Sequence, residues 1–147
     1  MLNLDNDKLS FFYQRTWATI TKKKERIQPH SHDQSNISFA YYPLKPKDTG
    51  DIRFIVEPQN EIVKGLFHEE KFKLGLLKKI DYRNTPKVDL KINEDDIIIF
   101  PSKTKHSTTI NTTQNARISI SGDITIMLKD SFGHERLMPH FDNWDEF

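Results

Sequence analysis

Three histidines and one arginine carry the chemistry legible in this chain. His30 and His32 stand in "QPHSHDQS", and His106 and Arg117 stand in "IIIFPSKTKHSTTINTTQNARISIS". On an extended segment, residues two apart project to the same side, so His30 and His32 face one way and Ser31 and Asp33 the other. Two imidazoles placed like this can converge on one divalent cation. A third ligand must then come from elsewhere, and His106 is the best candidate. Extended parity puts Thr104, His106 and Thr108 on one face and Lys103, Lys105 and Ser107 on the other. The ammonium groups then point away from an imidazole that must stay neutral to bind metal. His68, His134 and His140 have no ligand-spaced neighbour. The plainer reading of His30 and His32 is a half-exposed polar pair at a strand start, since an H-x-H pair alone is common by chance.

Arg117 opens the stretch with the clearest alternation. Ile118, Ile120, Ile124 and Ile126 share one face, and Arg117, Ser119, Ser121, Asp123 and Thr125 share the other. The arginine therefore points either into a hydrated pocket or out to solvent. In solvent, Asp123 or another carboxylate would pair with it.

The elements that must position these residues are mostly strands. "RTWATI", "NISFAYY", "DIRFIV", "DIIIF" and "RISISGDITIML" are rich in β-branched and aromatic residues. Turn signals separate several of them: Pro43 with Pro46, Thr49-Gly50-Asp51, and Pro58. From Glu57 to Leu90 the pattern changes. "EIVKGLFHEEKFKLGLLKKI" has room for one or two short helical turns, weakened by Gly65 and Gly75, and reads as a lid or an ordered insertion. The tail places Leu137, Phe141, Trp144 and Phe147 among charges, a pattern expected to dock on the barrel surface.

Composition bounds the rest. The 147 residues fit one domain, with 22 basic and 21 acidic side chains, so neither nucleic acid nor an anionic membrane is an expected partner. The run Lys22-Lys23-Lys24 with Arg26 reads as a solvated strand edge or loop. Only 35% of residues are hydrophobic, which predicts a thin core, as in a barrel or sandwich whose strands bury one face. No cysteine is present, which excludes disulfides and thiolate metal sites. No apolar run is long enough for a signal peptide or a membrane span, so a cytoplasmic location is expected.

Taken together, these motifs resemble the Fe(II)- and 2-oxoglutarate-dependent oxygenases, in particular the prolyl-hydroxylase-like branch and its bacterial and phage relatives. The likeness runs from about Trp17 to Met127. It rests on "HSH" at the place of the family's H-x-D/E motif, on "SFAYY" from Ser38 to Tyr42, and above all on "DDIIIFPSKTKHSTTINTTQNARISIS". The resemblance implies a mostly β, cupin-like double-stranded β-helix (a jelly roll) with a short helical insertion, forming one domain over residues 1–147. It implies Fe(II) on His30, His32 and His106. It further implies 2-oxoglutarate held by Arg117, with Ser119 beside it and Ser38 and Tyr42 as hydroxyl donors. The implied reaction is hydroxylation of an unidentified small molecule or protein side chain, with release of succinate and CO2. A planar guanidinium suits bidentate carboxylate recognition in a dry pocket.

One departure bears on the chemistry: the carboxylate expected two residues after the first histidine is His32 here. Asp33 is the alternative ligand if the chain turns sharply after His32, or it could orient a ligand. A three-histidine set also fits a cupin-like metal protein that does not use 2-oxoglutarate, whether an enzyme of another type or a small-molecule binder. An edge strand near the N-terminus would allow a homodimer.

Overall fold

The computed structural model describes residues 4–55, 72–79, 85–130 and 137–146. Within them the chain forms β1 (Leu9–Thr21), β2 (Ile37–Leu44), β3 (Ile52–Ile55), β4 (Lys87–Leu90), β5 (Ile97–Pro101), β6 (His106–Thr108), β7 (Arg117–Leu128) and β8 (Met138–Pro139). A single 3-10 turn follows at Phe141–Asn143. Most of the expected insertion, residues 56–71 and 80–84, lies outside the described residues, as do His68, His134 and Phe147.

The strands build two sheets. The larger runs β1-β7-β2-β5, with the short β8 pairing parallel to β7; the smaller runs β4-β3-β6. The main pairings are antiparallel, so each strand keeps one face toward the opposite sheet. This is the expected mostly β, jelly-roll, cupin-like fold. Phe54 of the smaller sheet meets Phe100 of the larger edge to face, with ring centroids 5.3 Å apart. Around them Ala40, Tyr42, Ile52 and Ile92 complete a small apolar core. Part of the tail docks: β8 pairs with the end of β7, and Phe12 packs against the rings of His140 and Phe141, while Trp144 stays exposed.

The register of the larger sheet decides what faces inward. Trp17 lies opposite Ser121, Thr19 opposite Ser119 and Thr21 opposite Arg117, while Ser38 on β2 lies opposite Asp123. Arg117, Ser119 and Asp123 are buried, with Asp123 fully enclosed and Arg117 1% exposed. The isoleucine face of β7 therefore looks outward, and elsewhere in the same sheet Ile20, Ile97 and Ile99 are 59%, 54% and 66% exposed. Of the two destinations open to Arg117, the structure takes the inward one. Asp123 is paired with Arg15, not with Arg117.

Gly50 carries the turn before β3. Its φ of 91° lies in the left-handed region, and a Cβ there would run into the Thr109 carbonyl and approach Arg117 Nη1 to 3.0 Å. Glycine lets the backbone come close enough for its carbonyl to meet the arginine.

Candidate metal centre

His30 sits on the loop between β1 and β2, held by an isolated antiparallel bridge to β6. The His30 amide donates to the His106 carbonyl and the His106 amide to the His30 carbonyl, both at 2.9 Å. Two residues on, the His32 amide donates to the Ser102 carbonyl at 2.9 Å. Pinned at two points, the loop presents both imidazoles on one side, and His106 meets them from β6. The ring centroids are 5.1 Å (His30–His32), 4.3 Å (His30–His106) and 5.2 Å (His32–His106) apart.

Each ring has one nitrogen already engaged. His30 Nδ1 donates to the Gln28 carbonyl at 2.8 Å and His106 Nδ1 to the Thr104 carbonyl at 2.9 Å. His32 Nδ1 donates to Asp123 Oδ1 at 2.5 Å. Carbonyl and carboxylate oxygens only accept, so these bonds put a proton on each Nδ1 and leave Nε2 as the nitrogen each ring can offer a metal. The three residues offer ligand atoms within 4.8 Å of one another. Bonds of about 2.0–2.1 Å to a shared ion put ligand nitrogens roughly 3–4 Å apart, a modest side-chain adjustment. Burial pushes the His106 imidazole down to about 4, with the neighbouring His30 and His32 adding to that shift and the Thr104 carbonyl opposing it. His106 is therefore neutral and ready to ligate at pH 7. The donor set fits a divalent transition metal.

Asp33 is not among the convergent groups. It is exposed, and Ser31 donates to it over 3.4 Å. The chain does turn at Asp33 and Gln34, but the turn leaves the Asp33 side chain exposed and outside the group of convergent ligand atoms.

The carboxylate at the centre is Asp123, which the sequence reading weighed only as a partner for Arg117. It accepts from His32, from Ser38 Oγ at 2.7 Å and from Arg15 Nε at 2.6 Å. Burial alone would raise its pKa, but these three hydrogen bonds outweigh that and hold it below the usual carboxylate value. Arg15 also lies over the Trp17 ring, 5.2 Å from its centroid. The Ser38 hydroxyl, expected to face a cosubstrate, instead bridges Asp123 and Ser102 Oγ (2.8 Å). The available signal was parity, since Asp123 is the one carboxylate on the inward face of β7.

His30, His32 and His106 line a cavity together with Trp17, Tyr42 and Ser119. Arg117 does not line it but is buried behind Thr108, which does. Its Nη1 donates to the carbonyls of Thr49 (3.3 Å) and Gly50 (3.0 Å), and its Nη2 to the hydroxyls of Thr21 (3.1 Å) and Thr108 (3.2 Å). Thr108 lines the cavity, as does His106 two residues earlier on the same inward face. All four acceptors are neutral. Among the described residues no carboxylate pairs with Arg117, and its buried Nε has no hydrogen-bond partner. Burial lowers its pKa, but a guanidinium stays charged. Tyr42, buried nearby, has its phenol pushed up by burial, with Arg117 opposing. His140, by contrast, lies on the tail beside Asp142 and Phe12. Among the described residues no helix is long and apolar enough to cross a membrane.

Comparison with known proteins agrees with this geometry. The family model for 2OG-Fe(II) oxygenases matches residues 15–123. A search of curated protein sequences finds no match. Among solved structures, the chain is similar to an oxidoreductase of the 2OG-Fe(II) oxygenase family from Burkholderia pseudomallei (13% identity, TM-score 0.55, 79% of this chain and 45% of that one). It is also similar to the non-heme alpha-ketoglutarate-dependent epimerase SnoN from nogalamycin biosynthesis (15% identity, TM-score 0.53, 78% and 47%). HygX from Streptomyces hygroscopicus gives 11% identity and a TM-score of 0.52 over 78% and 58%. At these identities the likeness speaks to the fold, and the chain spans about half the length of these structures. The family match covers most of the chain, from Arg15 before the first strand's cavity-lining residues to Asp123: the chain belongs to the 2OG-Fe(II) oxygenase family.

Proposed function

We propose that the protein is an Fe(II)- and 2-oxoglutarate-dependent dioxygenase that hydroxylates a substrate, a small molecule or a protein side chain, with release of succinate and CO2. The observation that carries this is a pairing of two features around one cavity. Three imidazoles converge on its wall, and behind Thr108 of the same wall a buried arginine meets neutral oxygens only, with Nε unpartnered. A buried cation is costly unless a charge compensates it, and a dicarboxylate anchored near the histidines is the right sign and shape for both ends.

Within this reading His30, His32 and His106 hold the metal through Nε2. Arg117 takes the distal carboxylate of 2-oxoglutarate, with Ser119 and Tyr42 at the cavity wall. Iron with bound 2-oxoglutarate would supply O2 activation and hydrogen abstraction. The chain's own contribution is to bind and orient both, and to keep water out with Trp17, Ile52 and Phe100 at the cavity wall.

One observation favours a second reading. The position that carries a carboxylate ligand in H-x-D/E sites is His32, and Asp33 does not replace it. A three-histidine metal protein that does not use 2-oxoglutarate accounts for that. Anaerobic titration with Fe(II) and then 2-oxoglutarate separates the two. A weak visible charge-transfer band that saturates with 2-oxoglutarate supports the oxygenase. Tight Fe(II) binding with no response to 2-oxoglutarate supports the second reading.

A further inference from the structure

We propose that Asp123 is a positioning residue for the metal centre, delivering through the His32 ring the carboxylate charge that an H-x-D/E motif would place directly on the metal. The proposal rests on the reading of His30, His32 and His106 as metal ligands.

Three observations carry it. Asp123 is fully enclosed, so its charge is not dissipated into water, and its Oδ1 lies 2.5 Å from His32 Nδ1. Such a bond fixes the ring's orientation and tautomer and raises the basicity of the opposite nitrogen. The other two histidines have only neutral carbonyls behind them, those of Gln28 and Thr104. The carboxylate is thus attached specifically to the residue that stands in the carboxylate's usual place. Finally, the surroundings hold it in place: Ser38 donates from β2, Arg15 from β1, and Ser102 steadies Ser38. Asp33, next to the histidines in sequence, is exposed and contributes nothing comparable.

The alternative is that Asp123 merely ties β1, β2 and the 30–32 loop together. A double-mutant cycle distinguishes the two. Co(II) is titrated into wild type, Asp123→Asn, His32→Asp and the double variant, following the visible spectrum, and apoprotein unfolding is measured in parallel. The expected result is a roughly 10–100-fold weaker Co(II) affinity for Asp123→Asn, the size usual for such partners of metal-bound histidine. In the His32→Asp background, where a carboxylate already reaches the metal and Asp123 faces it as a like charge, the same substitution should cost no affinity or improve it. A tie between strands would instead weaken both backgrounds alike, and that equal loss would overturn the proposal.

A second measurement needs no variant. In cobalt-loaded wild type, His32 should show an exchangeable, hyperfine-shifted Nδ1–H resonance. Coordination through Nδ1, with no such proton, would overturn the proposal even if Asp123→Asn failed to fold. Absence of Co(II) binding by wild type would overturn the metal centre itself, whereas tight binding that is unchanged in Asp123→Asn would overturn this proposal alone.

Discussion

Replacing Arg117 by methionine separates what the arginine does for the fold from what it does for a ligand. The guanidinium makes four hydrogen bonds of 3.0–3.3 Å, all to neutral oxygens, and has no carboxylate partner. These are longer than the 2.7–2.9 Å of strong charge-assisted contacts, so each contributes about 1–1.5 kcal/mol. Against them stands the several kcal/mol that burial of an uncompensated ion costs. The two nearly cancel, and methionine fills most of the same volume. The apoprotein variant should therefore lie within about 2 kcal/mol of wild type, a change of roughly 4–8 °C in Tm at most. A dicarboxylate bound there loses much more, because a buried charge pair broken on one side costs about 2–5 kcal/mol. That is a loss of roughly thirty-fold to several thousand-fold in affinity. Arg117→Lys should recover only part, since a point charge cannot reproduce the planar fork. The assay is anaerobic calorimetric titration of the Mn(II)-loaded proteins with 2-oxoglutarate, with Mn(II) affinity as the control. Equal affinity in wild type and Arg117→Met would refute the reasoning. So would a destabilisation well above 4 kcal/mol, which would make the arginine a structural keystone.

Other outcomes follow from the same geometry. The folded-state value of His106 is pushed down to about 4 from an unfolded value near 6.5, so its stabilising contribution is complete above pH 6.5 and is lost as pH falls toward 4. Urea midpoints of the metal-free protein should register a loss of about 3 kcal/mol across that window, and His106→Gln should flatten it. Gly50→Ala should cost about 1–3 kcal/mol, measured by denaturant unfolding, because it strains a left-handed backbone and crowds both the Thr109 carbonyl and Arg117. Co(II) at one hundred times its Kd should raise the unfolding free energy by about 2.7 kcal/mol. That gain should disappear in His30→Ala and persist in His140→Ala, whose ring lies on the tail.

What the sequence made legible was local. Period-two alternation in β7 separated Arg117, Ser119 and Asp123 from the isoleucines, and the H-x-H spacing placed His30 and His32 on one side. Which face of β7 turns inward could not be read from the strand, because an apolar face normally marks the core. The decision belongs to the register with β1 and β2, where Trp17, Thr19 and Ser38 meet the polar side. The role of Asp123 was hidden for a similar reason: its contacts with His32, Ser38 and Arg15 span 91, 85 and 108 positions in sequence. Proximity along the chain pointed instead to Asp33. The expected lid over residues 57–90 falls largely outside the described residues.

The outward isoleucines and inward polar groups have a thermodynamic consequence. Unfolding normally hydrates a large apolar interior, which raises the heat capacity, while hydrating polar groups lowers it. Here much of the apolar surface of the larger sheet is already wet in the folded monomer, and what unfolding newly hydrates includes an arginine, an aspartate and several hydroxyls. The heat-capacity increment of the monomer should then fall below the usual figure of about 12–15 cal/mol/K per residue. A smaller increment flattens the curve of stability against temperature, so whatever stability the barrel possesses changes slowly on cooling and cold denaturation recedes to lower temperature.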